Sequence, residues 1–268
     1  MIRVSNLQYQ IKEKAILSGI NLQLKPGQFY GVVGPNGSGK STLLRLLAGL
    51  TLPRSGEIIF DGVRMEDWQE KDLAQNRCLL QQSNSVSLPY TVKDLIKMGR
   101  YPFLTISPPA ENAAIVKQAM EFMEVQPFAE RSCMDLSGGE LQRVQIARVL
   151  AQLLGKSGVE GKVLLADEPL NNLDIKHQQE TMKILKTLAD AGALVIAVLH
   201  DLNLSLQYCD QNILLNEGML VEVSPPESCL RAENIKQVFG VQSRLVKLGE
   251  SKVVNTMSKQ GDLALIYE

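Results

Sequence analysis

Phe29-Tyr30-Gly31-Val32-Val33-Gly34-Pro35-Asn36-Gly37-Ser38-Gly39-Lys40-Ser41-Thr42 carries an apolar strand straight into a glycine-rich loop. The loop fits Gly-x-x-x-x-Gly-Lys-[Ser/Thr], a pattern in which glycines let successive backbone N–H groups turn inward around phosphates. In that reading Lys40 reaches the β- and γ-phosphates of a nucleotide and Ser41 sets its hydroxyl on Mg²⁺. A helix starting near Gly39 aims the positive end of its dipole at the same anion. Residues 42–50 continue as an apolar helix closed by Gly49, so the strand–loop–helix context that the motif requires is predicted in full.

Working outward, residues 2–4 and 22–24 alternate as strands. Residues 53–56 read as a turn, 57–60 as a strand and Asp61-Gly62 as a hairpin turn, which predicts a small antiparallel layer beside the nucleotide. Between residues 83 and 156 the periodicity becomes helical, over 92–98, 112–124 and 141–154. Ile115, Ala119, Phe122 and Met123 are expected on one core-facing stripe, and the Pro-rich residues 101–109 as a surface excursion. Residues 163–166 and 194–199 are the short continuous apolar runs of buried parallel strands. A helical pattern over 178–191 between them makes a β–α–β unit. After His200 come a helix (202–208), a strand pair about 216–218 ended by Pro225-Pro226, and a tail from 230 expected to hold a helix and short strands. That tail is expected to pack on the core or on a second copy.

At 268 residues and 45% apolar content the chain can bury a substantial core, and Lys plus Arg total 28 against 29 for Asp plus Glu. So balanced a charge predicts no nucleic-acid partner and no direct attraction to an anionic membrane. The apolar runs are far shorter than the roughly 20 residues that cross a bilayer, and no signal pattern opens the chain. A cytoplasmic chain that meets membranes only through a partner is expected. Cys78, Cys133, Cys209 and Cys229 form no C-x-x-C pair and read as reduced, mostly buried thiols.

Two further segments carry chemistry. Asp167-Glu168 ends the apolar run 163–166, where ligand-facing groups stand in an open α/β sheet. There Asp167 would hold Mg²⁺, usually through water, and Glu168 would polarise the water that attacks the γ-phosphate. Leu136-Ser137-Gly138-Gly139-Glu140 opens a helix with a hydroxyl and two residues lacking Cβ, which suits a second anion site. Taken alone, Ser137 and Glu140 would be only a capping box, and that role is compatible with ligand contact.

With these segments together, the chain resembles an ATP-binding-cassette ATPase over nearly all of residues 1–225. The resemblance implies an α/β fold: a P-loop NTPase core with a mostly parallel sheet flanked by helices (about 1–82 and 160–225), an antiparallel β subdomain and an inserted helical subdomain (about 83–159). Residues 226–268 would be a C-terminal extension. It implies that ATP is bound by Tyr9, stacking on adenine, and by Gly34, Pro35, Asn36, Gly37, Ser38, Gly39, Lys40, Ser41 and Thr42. Leu136, Ser137, Gly138, Gly139 and Glu140 would cap the γ-phosphate held by the opposite subunit of a homodimer. Gln82, or its neighbour Gln81, matches the glutamine that joins Ser41 and Asp167 around Mg²⁺ and marks the hinge into the helical lobe. Glu168 and His200 are the implied catalytic pair, and Asp174 lines the dimer interface. His177 has no implied role. Glu140 stands where Gln is frequent, and Leu170-Asn171-Asn172 where Thr-Ser-Ala is; neither removes a group that hydrolysis needs.

The family resemblance extends to cargo. Met98-Gly99-Arg100-Tyr101-Pro102 and His200-Asp201-Leu202-Asn203-Leu204 look like the ATPases of bacterial importers for iron chelates, haem and cobalamin. Residues 143–152, the widened stretch 153–162 and residues 175–179 look most like the haem-importing group. This implies two transmembrane permease subunits, a periplasmic or surface substrate-binding protein acting through them, and a peripheral place on the cytoplasmic face of the inner membrane. Cobalamin and ferric-siderophore import are the alternatives within transport, and a soluble cluster-assembly ATPase is the alternative outside it.

Overall fold

A computed structural model describes residues 1–82, 88–155, 158–248 and 251–257. The chain opens on two antiparallel strands, β1 (Ile2–Ile11) and β2 (Lys14–Leu24), longer than their short apolar cores suggest. β3 (Gln28–Val33) then leads through the glycine loop to α1 (Lys40–Leu47). β4 (Ser55–Phe60) and β5 (Val63–Arg64) follow, joined at Asp61 and Gly62 with φ of 49° and 84°, the left-handed pair that a tight hairpin turn demands. Next come α2 (Glu70–Asn76), β6 (Arg77–Leu80), α3 (Val92–Lys97), α4 (Pro109–Phe122) and α5 (Gly138–Leu153). The chain returns to sheet with β7 (Val163–Ala166), α6 (Ile175–Asp190), β8 (Leu194–Val198), α7 (Leu202–Tyr208), β9 (Gln211–Asn216) and β10 (Met219–Ser224). It closes on α8 (Pro226–Cys229), α9 (Ala232–Phe239) and the hairpin β11 (Gln242–Leu248) and β12 (Ser251–Met257).

The larger sheet runs β10-β9-β3-β8-β7-β6 and is parallel except for β10. The smaller is antiparallel, in the order β2-β1-β4-β5. Burial explains why β8 is a continuous apolar run. Leu194, Ile196 and Val198 pack with α1 and the inner face of the antiparallel sheet, while Val195 and Ala197 pack with the helices on the opposite side. Each of the larger of these side chains contributes roughly 1.5–3 kcal/mol through removal from water. A charge at either set would face a filled layer.

α5 is held at both ends. Ser137 and Glu140 form the expected capping box, and at the far end Arg100 Nη1 donates to the carbonyls of Ala151 (2.6 Å) and Leu154 (2.8 Å) while Lys162 Nζ donates to that of Leu153 (2.7 Å). An acid near the start and cations at the end match the helix dipole. Arg100 is fully buried, packs over Phe103 and also reaches Asn112 Oδ1 at 2.8 Å, so the 98–102 segment is a brace for this helix.

Two expectations need correction here. Phe122 is 47% exposed; the buried stripe of α4 is Ile115, Val116, Ala119 and Met120, joined by Met123, and residue 122 falls on its edge. Residues 101–109 are a surface segment only in part, since Phe103 is buried beside Arg100. The tail packs on the core: Val254 N donates to Asn203 Oδ1 on α7 at 2.7 Å, and Arg231 and Asn234 both bond Glu222 on β10. The first residues expected in the helical lobe (83–87), part of the widened stretch (156–157) and the end of the tail (258–268) lie outside the described residues. All four cysteines are free and buried, as expected.

Candidate functional site

Because β3, β8, β7 and β6 are parallel neighbours, their carboxyl ends align four separate pieces of sequence along one edge. The glycine loop follows β3, His200 follows β8, Asp167-Glu168 follows β7, and Gln82 follows β6. Such an edge is where open α/β sheets bind ligands.

The loop is built for close approach. Gly34 has φ 151°, and a Cβ there would lie 2.1 Å from the Leu215 carbonyl oxygen, so no larger residue fits. Ser38 is only 2% exposed, its Oγ has no hydrogen-bond partner, and a Cβ at Gly34 would stand 2.9 Å from that oxygen. Lys40 Nζ donates to the carbonyls of Gly34 and Pro35, each at 2.8 Å, which folds the ammonium back over the loop. Burial pushes the Lys40 amine below its usual range, while Glu168 and Asp167 pull it back up.

The acids sit beside it in different environments. Asp167 is buried and accepts the Ser41 hydroxyl at 2.9 Å; burial raises its carboxyl above the usual range, partly offset by that bond. Glu168 has φ 52°, an uncommon conformation for a residue with a side chain. Its Oε1 lies 2.8 Å from His200 Nε2, and its Oε2 accepts from Gln82 Nε2 at 2.8 Å and from Asn171 Nδ2. Burial works against ionisation, but the bonds from His200, Asn171 and Gln82 outweigh it and hold the carboxyl below the usual range.

A cavity of about 800 Å³ is lined by Asn36, Gly37, Gly39 and Lys40 to Thr42, together with Gln82, Glu168 and His200. Lys14, Ala15, Ile16, Glu217 and Gly218 line it as well. Tyr9 does not line it. That side chain packs against the core layer of α1, with its hydroxyl 3.5 Å from Thr51 Oγ1, and the β2 side of the hairpin supplies Ile16 instead. Ser41, Gln82 and Asp167 share a smaller cavity of about 180 Å³, which Gln81 also lines; of the two glutamines, Gln82 lines both cavities and Gln81 the smaller. A hydroxyl, a carboxylate and an amide are hard oxygen donors, a set that suits Mg²⁺.

None of residues Leu136, Ser137, Gly138, Gly139 and Glu140 lines the cavity of its own chain. Ser137 Oγ accepts from Glu140 N at 3.2 Å and Glu140 Oε2 from Ser137 N at 2.7 Å, so the segment is a rigid helix start. Gly139 lies against the post-Glu168 segment: a Cβ there would stand 2.7 Å from the Asn172 carbonyl oxygen. Gln142 Nε2 donates to the Pro169 carbonyl at 3.0 Å in the same contact. Asp174 is exposed and caps α6, accepting from His177 N at 2.9 Å and contacting His177 Nδ1 at 2.7 Å, which gives His177 a structural purpose. Sequence reasoning missed Ile16 and Gln142. It placed Asn171 only in the segment that the resemblance assigns to the dimer interface, and not on Glu168.

A family model described as ABC transporter matches residues 17–171. The chain is 40% identical over 242 residues to a hemin import ATP-binding protein of Pseudomonas fluorescens, covering 90% of this chain and 93% of that protein. Its counterpart in Pseudomonas aeruginosa is 41% identical with the same coverage. Among solved structures, a metal-chelate type ABC transporter in an inward-facing conformation superposes with a TM-score of 0.78 at 26% identity, covering 96% of this chain and 98% of that one. A dimeric bacterial ABC transporter cassette gives 0.74 at 28% identity, covering 84% and 99%.

Proposed function

The chain belongs to the ABC transporter family, and from that premise we propose that it is the ATP-hydrolysing subunit that powers haem import through a membrane permease. The observation that carries the cargo is the 40% identity, over 90% of the chain, to a hemin import ATP-binding protein.

In this reading the N–H groups of residues 36–42 and the Lys40 ammonium hold the phosphates of ATP. Ser41, Asp167 and Gln82 would hold Mg²⁺, which would offset the negative charge of the phosphates. Glu168 accepts a proton from the attacking water, and His200 contacts the γ-phosphate. Each ATP lies between Lys40, Glu168 and His200 of one copy and Ser137 to Gly139 of a second. The placement of residues 136–140 outside their own chain's cavity supports that division, as does the likeness to a dimeric cassette. Binding of γ-phosphate favours closure because it touches both copies, and hydrolysis removes that bridge.

The helical elements α3 to α5 form the lobe that moves about Gln82 and passes closure to two permease subunits. A substrate-binding protein delivers cargo from outside. Among the described residues no helix is long and apolar enough to cross a membrane, in keeping with a peripheral subunit on the cytoplasmic face of the inner membrane. Adenine packs on Ile16 rather than Tyr9. Tyr9→Ala is therefore expected to leave MgATP affinity within about twofold, and Ile16→Ser to weaken it about three- to tenfold through lost apolar burial. Titration with a fluorescent ATP analogue reads both; the reverse ranking would return the base to Tyr9.

Reconstitution with the cognate permease in lipid vesicles tests the cargo. Hemin-loaded binding protein should stimulate ATP turnover, whereas ferric siderophore and cobalamin proteins should not. Stimulation by either of those would reassign the cargo, and failure of any permease to associate would remove the transport reading while leaving the ATPase.

A further inference from the structure

Glu168 carries three side-chain donors, and they differ in what else they are asked to do. His200 occupies Oε1, and Gln82 and Asn171 share Oε2. Under the proposed function His200 turns to the γ-phosphate and Gln82 to Mg²⁺ when nucleotide arrives, which draws both away from the carboxylate. Asn171 has no such second duty. It also rides on the same turn: Asn171 N donates to the Glu168 carbonyl at 3.3 Å, and this local reversal brings its side-chain amide back onto the carboxylate three residues earlier. A glutamate side chain left free loses rotamer entropy when it is fixed, so a local donor that fixes it beforehand lowers the cost of each productive encounter.

We infer that Asn171 is a positioning residue for Glu168, holding Oε2 through the catalytic cycle so that Oε1 is the oxygen left to meet the attacking water. Once His200 and Gln82 are drawn away, the Asn171 donor still occupies one lone pair of Oε2, while both lone pairs of Oε1 are open to the water. The inference rests on the proposed role of Glu168. Asn171 itself touches neither phosphate nor metal in this scheme. Asn172, next along, is in the left-handed conformation with φ 62° and abuts Gly139, so the turn carrying Asn171 rests on the start of α5.

The test uses the full chain with its permease. Asn171→Leu keeps the side-chain volume and removes the donor; the residue is exposed, so the fold should survive, and an unchanged melting temperature would verify it. The expected result is a fall of about tenfold in kcat, the scale of one hydrogen bond to a charged group, with KM for ATP and nucleotide affinity within about twofold. In a Glu168→Gln background, single-turnover rates should show no further loss on adding Asn171→Leu, because the two residues act as a unit. A kcat within about twofold of the parent chain, a parallel loss of nucleotide affinity, or full additivity in the double variant would each overturn the inference. If Glu168→Gln alone turned over normally, the fault would lie with the role of Glu168 instead.

Discussion

Glu168→Gln is expected to lower ATP turnover by about 10²–10⁴-fold, the span typical of losing a general base, while nucleotide still binds. The substitution keeps the shape of the side chain and leaves an oxygen to receive Gln82 and Asn171, so the local network need not collapse. What disappears is the carboxylate proposed to take the proton of the attacking water. ATP would then persist between two copies, and closed dimers should accumulate on size exclusion in the presence of MgATP. Normal turnover by this variant would remove Glu168 from the chemistry. Turnover lost together with binding would point to a collapsed site.

Lys40→Ala should act one step earlier, weakening MgATP affinity by roughly 10–100-fold, because charge-assisted bonds to phosphate are lost from a partly buried position. Lys40 already sits over the loop, bonded to the Gly34 and Pro35 carbonyls, so the alanine variant loses a preorganised cation and leaves two carbonyl oxygens without their donor. Closed dimers should not form at ATP concentrations that saturate the parent chain. Equilibrium titration is decisive: an unchanged dissociation constant would mean that the phosphates lie elsewhere. The two variants thus separate binding from hydrolysis, with the dimer as a shared readout.

Much of this site is legible in the amino-acid sequence because its chemistry is local. Glycines, a lysine and a hydroxyl at fixed offsets specify a loop conformation, and the capping box at Ser137 and Glu140 is written within four residues. Long apolar periodicity located β7, β8, α5 and α6 for the same reason. The purpose of Arg100 was not legible, since its partners Ala151 and Leu154 lie far along the chain and are backbone carbonyls, which carry no residue-type signal. Phe122 was misplaced because apolar character predicts a helix stripe but not its exact edge.

By itself the sequence determined the glycine-rich loop between a strand and a helix, the buried parallel strands and the acid pair at a strand end, because each depends on contacts between near neighbours and on periodicity. The fold class followed from the family that these segments resemble. Only the tertiary structure decided that Gln82 rather than Gln81 meets Glu168, that Ile16 replaces Tyr9 at the cavity wall, and that Asn171 and His200 converge on one carboxylate. Those choices depend on which strands lie side by side and which way a side chain faces on a twisted hairpin. A single substitution pattern along the chain does not record either.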